Sequence, residues 1–159
     1  ELGWRLPSDH EKPLYAEAEE KLRTAFEQQK MDVENTSREF GNATRGLEQF
    51  DREVKRLEDS QKNLEATARL LGERLTALQD QLGALPPAST ERTRVQNEVN
   101  YTRTQKERTE EIDLKAIRER TQNLNIQTKR VELEKKVTDA KQEVDESQEK
   151  LNKLKQQLS

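Results

Sequence analysis

The chain has 159 residues, of which 38% are charged and 30% apolar, with a formal net charge of -3 and both signs interleaved. So little apolar surface excludes a conventional globular core, and the lack of cysteine excludes disulfide staples and thiolate-ligated metals. No apolar run approaches the ~20 residues that span a bilayer.

Residues 1–12 read as an irregular lead-in. Trp4 and Leu6 fit no period and suit a small apolar clasp at the base of the molecule. Ser8 with Glu11 matches a capping box, but that start would put Pro13 inside a helix. Pro13 is therefore the expected first helical residue, where its missing N–H costs nothing. The chain opens at Glu1 rather than Met, as a processed protein or an excised segment would, so a missing leader or anchor excludes nothing.

From Tyr15 to Leu85 an apolar repeat alternates steps of four and three residues. Tyr15, Leu22, Phe26, Val33, Phe40, Ala43, Leu47, Phe50, Val54, Leu57, Leu64, Ala68, Leu71, Leu75, Leu78, Leu82 and Leu85 fall on it, and only Glu19, Gln29, Thr36 and Gln61 are polar. A 3.5-residue period held without a skip predicts one helix, residues 13–85, with a narrow seam for another helix. The same repeat excludes the disorder that composition alone would suggest. Gly41 and Gly46 weaken this helix by about 1 kcal/mol each without breaking its phase.

Residues 86–89 carry the one strong turn. Pro86 disfavours a helical Leu85, Pro86 and Pro87 cannot continue a ladder, and Ser89 or Thr90 can cap a new helix. A second helix is expected over residues 90–159, free of Gly and Pro to Leu158. Two helices of matched length, each about 105 Å at 1.5 Å per residue, make an all-α, long antiparallel two-helix coiled-coil hairpin with both ends at its base. The first helix has 11 basic and 15 acidic residues and the second 16 and 14, a mild complementarity that helps register.

The second helix matches the first unevenly. Leu133, Val137, Ala140, Val144, Ser147, Leu151, Leu154 and Leu158 form a clean seam expected opposite Ala43 back to Ala16. Carried toward the tip, the same frame gives Arg130, Ile126, Asn123, Glu119, Ala116, Ile112, Thr109, Gln105, Thr102, Glu98 and Val95. Against that polar series stand Leu64, Leu71, Leu75, Leu78 and Leu82, so several kcal/mol of burial are left unused at ~1.5–3 kcal/mol per leucine. These leucines are candidate contacts for a second copy, giving a four-helix assembly, or for another protein partner.

Leu114, Ile117, Leu124 and Val131 fall off this frame, on the back of the hairpin. Two readings stand: a local frame shift with scattered aliphatics, or a docking or dimerisation stripe.

No catalytic constellation is present in the sequence. The single His10 has no Cys, second His or nucleophile near it, and no glycine loop cradles a phosphate. No cofactor or metal is expected. Arg92, Arg94, Arg103, Lys106 and Arg108 cluster near Tyr101, but Glu91, Glu98 and Glu107 interrupt them, which argues against nucleic acid. Mixed charge argues equally against a lipid surface, leaving membrane contact to a segment outside this chain. The sequons at Asn35, Asn42 and Asn100 are read as chance.

The expected role is non-enzymatic: a spacer or scaffold whose tip, Pro86 and Pro87, or exposed leucines dock a protein. The alternatives are a coiled-coil arm of a larger chromosome-maintenance-type ATPase and an extracytoplasmic, membrane-tethered adaptor hairpin.

Overall fold

The computed structural model describes residues 11–159, with side chains from Leu14 onward; the readings placed on Trp4, Leu6, Ser8 and His10 lie outside the described residues. The described chain is all-α. Helix α1 spans Glu11–Ala84, α2 Thr90–Arg108, α3 Lys115–Leu124 and α4 Ile126–Leu158, and a π-helical turn, Thr109–Leu114, joins α2 to α3.

Pro13 lies in the first turn of α1, two residues later than its start at Glu11. The first backbone N–H groups of a helix have no internal partner, so proline is tolerated there. Gly41 and Gly46 stay inside α1, which runs on without interruption. Threonines along the helices, among them Thr36, Thr67, Thr104 and Thr138, each donate Oγ1 to the carbonyl four residues back, which satisfies a group that otherwise competes with the backbone.

The chain reverses at Leu85–Ser89. Ser89 is the N-cap of α2, its Oγ accepting from the Arg92 N–H at 3.1 Å. Its own N–H donates to the Pro86 carbonyl at 3.2 Å. Arg92 then reaches back, its Nη1 donating to the carbonyls of Leu82 at 3.0 Å and Leu85 at 2.9 Å. Helix C-termini leave carbonyls unpaired, and a cationic donor there meets both the hydrogen bonds and the negative pole of the helix.

Two compact units divide the described residues. One consists of residues up to Glu48 with Val131–Ser159; the other is Gln49–Arg130. In the first, Gln29 Nε2 donates to the Ser147 carbonyl at 2.9 Å, and Ala43 and Gly46 line one groove with Leu133 and Ala140. Rising numbers on α1 meet falling numbers on α4, so the pairing is antiparallel. The seam from Leu133 to Leu158 is inward and half-buried throughout, as is α1 from Leu22 to Leu47, whereas Tyr15 and Glu19 are exposed. The α1 seam therefore begins one heptad later than its spacing predicts.

In the second unit, Leu78 packs with Val95 and Val99, and Leu75, Leu82 and Leu85 lie against them. Asp51 pairs with Arg130 at 2.9 Å, and Lys129 sits 5.4 Å from the Phe50 ring centroid. The pairing is again antiparallel. Every heptad position of α1 from Phe50 to Leu82 is buried or half-buried.

The returning strand of this unit corrects two expectations. It is not one helix: the π turn and Asn125, left-handed at φ 48°, interrupt it. The inward residues at the two ends of the π turn, Thr109 and Leu114, are five apart. An α-helix would set them roughly 140° apart, whereas an i→i+5 turn nearly aligns them. From within the turn onward, Leu114, Ile117, Thr121 and Leu124 face inward and Ile112, Ala116, Glu119 and Asn123 are exposed, the reverse of the uninterrupted heptad frame.

Candidate interaction surface

The surface begins at the tip. Pro86 and Pro87 are exposed, with no backbone N–H to offer, and the chain around them is held by Ser89 and Arg92. Arg92, counted in the sequence with a basic cluster, is turned back onto the carbonyls of Leu82 and Leu85. Arg94 is spanned by Glu91 and Glu98, each at 3.0 Å. Two members of the basic cluster, Arg92 and Arg94, are thus engaged within their own helix and turn.

Below the tip lie the distal leucines. Leu78 is buried, and Leu64, Leu71, Leu75 and Leu82 are half-buried. Their in-chain partners are less polar than the heptad frame implies, because Val99 joins Val95 and both are only 1% exposed. The frame passed through Glu98, but a 3.6-residue helix places both 98 and 99 near the face of Val95. Thr102 and Thr109 are buried too, with Thr109 Oγ1 donating to the Gln105 carbonyl at 2.9 Å. Leu70 and Tyr101 stay exposed.

Farther along, the four residues assigned to the back of the hairpin separate. Leu114 is 4% exposed and Ile117 and Leu124 are half-buried, so these three belong to the inward face; Val131 is 64% exposed. The local frame shift, one of the two readings of the sequence, describes the first three. Its physical cause is the π turn, which rotates α3 until Ile117 and Leu124 face inward with Leu114. Arg118 and Arg120 flank that face and reach Glu65 at 3.8 Å and Glu53 at 3.9 Å. Such exposed pairs orient more than they stabilise, at about 0–1 kcal/mol each.

Beside this face lies an open groove of about 1220 Å³ lined by Gln61 of α1 with Ile112, Lys115, Glu119, Asn125 and Ile126, among others. Ile112 is 61% exposed at its edge. Toward the tip, the Lys106 side chain lies across α1 at Gly72, where a Cβ would stand in ordinary contact at 3.4 Å from Lys106 Cε. Neither Gly72 nor Asn125 stands out in the sequence, although Asn at a helix end is a known left-handed cap signal.

Among the described residues no group of three His, Asp or Glu side chains is arranged to hold a metal ion, and no helix is long and apolar enough to cross a membrane. The grooves are open surfaces walled by amide, charged and aliphatic side chains, suited to contact with another chain. No protein-family model, curated protein or solved structure matches the chain.

Proposed function

We propose that the chain is a non-enzymatic helical hairpin that serves as a spacer and protein–protein docking surface, with a second copy of itself as its first partner. The half-open distal seam carries this reading. Leu64, Leu71, Leu75 and Leu82 lean on the returning strand yet remain partly open to solvent, and Leu70, Tyr101 and Ile112 are exposed in the same unit. A second hairpin laid on that unit would complete a four-helix arrangement and remove this apolar area from water at roughly 25 cal/mol per Å².

Sedimentation equilibrium over a range of concentrations tests it. The expected mass is twice 18.6 kDa, and the double variant Leu70→Glu, Tyr101→Glu returns it to 18.6 kDa with helicity unchanged. A strict monomer at every concentration would sink the homodimer form.

A second reading, an arm of a larger chromosome-maintenance-type ATPase, is favoured by one feature: α1 begins and α4 ends in the same unit. Nucleotide-binding motifs in flanking sequence would decide for it.

A further inference from the structure

Between Thr109 and Ile126 the returning strand leaves its heptad frame and then rejoins it. Thr102 and Thr109 on one side, and Ile126 and Arg130 on the other, are inward as the uninterrupted spacing requires. The stretch between them is out of phase with both flanks, and a backbone irregularity bounds it at each end, the π turn and the left-handed Asn125. One irregularity introduces the phase shift and the other cancels it. An uninterrupted α-helix would therefore serve the flanks equally well.

We propose that residues 110–125 form a two-state segment. In the rotated state, the one seen here, Leu114, Ile117 and Leu124 cover α1. In the straight state the segment is continuous α-helix, Ile112, Ala116, Glu119 and Asn123 turn inward, and Leu114, Ile117 and Leu124 become an exposed aliphatic stripe.

Three observations support two competing arrangements. The rotated state holds Asn125 at φ 48°, ψ 58°, a left-handed conformation that Asn takes more readily than other side-chain-bearing residues but that still costs more than continuous helix, and burial of Leu114 opposes that cost. Room for the straight state already exists, because the groove brings Gln61, a seam residue of α1, together with Ile112 and Glu119, which the straight frame would bring inward there, and with Ile126, which is inward already. The cross-links that hold the rotated segment, Arg118–Glu65 and Arg120–Glu53, are long surface pairs. Exposure of the stripe on demand would give the docking surface a switch, and the two states exist or not independently of what docks there.

The chain has no cysteine, so single thiols report cleanly. Ala116→Cys is exposed in the rotated state and inward in the straight one; Leu114→Cys is the opposite. Each is introduced with Asn125→Gly, which suits the left-handed conformation, and with Asn125→Ala, which opposes it. The Ala background is expected to slow labelling at position 116 and speed it at 114, each by about tenfold relative to Gly, with helicity undiminished by circular dichroism. Equal rates in the two backgrounds, or shifts in the same direction at both positions, would overturn the proposal, since one state under strain or simple loosening moves the two thiols together.

Discussion

The unit Gln49–Arg130 and the unit formed by the two ends of the described chain use the same apolar repeat and reach different degrees of burial. In the former, Phe50, Val54, Leu57, Ala68 and Leu78 are buried together with Val95, Val99 and Leu114. In the latter no described residue is buried, although its seam residues from Leu22 inward are half-covered. The facing residues explain the contrast. Gln29 meets Ser147, and Ala43 and Gly46 share a groove with Ala140, so small and polar side chains leave the aliphatic ones uncovered. Heptad spacing chooses the face that turns inward; the size of what lies opposite decides how much water leaves.

The sharpest way to break the contrast is to place a charge where burial is complete. Val99→Asp leaves an unpaired carboxylate beside Leu78 and should lower stability by about 3 kcal/mol or more, read by thermal or urea unfolding monitored by circular dichroism. Next, one truncation can be made in both units. Leu114→Ala should cost about 2–3 kcal/mol, the low end for a buried leucine because only two helices surround it. Leu151→Ala, half-buried in the other unit, should cost nearer 1 kcal/mol. Equal losses in urea titrations would show that exposure is a poor guide to the energetics of the two units.

At the tip, Arg92→Ala removes two charge-assisted hydrogen bonds, to the carbonyls of Leu82 and Leu85, and should cost about 1–2 kcal/mol, with hydrogen exchange rising first around residues 82–85. In the less buried unit, Gly46→Ala should raise stability by about 1 kcal/mol, because a Cβ there meets nothing within 4 Å and helix propensity improves. The smallest effect is expected from Asp51→Ala. Its pair with Arg130 is 2.9 Å long but about half-exposed, so the loss should stay under about 1 kcal/mol and vanish at high salt.

The frame shift in α3 shows where a sequence reading of this kind stops. Leu114, Ile117 and Leu124 were legible as misfits, because their spacing conflicts with Ile112 and Ile126. Which way the conflict resolves was not legible. It depends on comparing the cost of a π turn and a left-handed Asn125 with the burial of three aliphatic side chains, and that burial exists only once α1 is alongside. The same holds for Val99, whose adjacency to Glu98 lets either residue claim the seam, and for Arg92, whose partners are carbonyls across a turn.

By itself the sequence determined the helical class, the inward face of α1 from Leu22 to Leu85, the reversal at Pro86-Pro87 with a cap at Ser89 or Thr90, and the antiparallel pairing. All of these follow from local rules: period, proline geometry and short connection length. The tertiary structure alone decided the phase of α3, the closure around Val95 and Val99, and the open seam near Ala43 and Ala140. Those are outcomes of side chains from distant parts of the chain competing for the same surface, a contest that no local spacing contains.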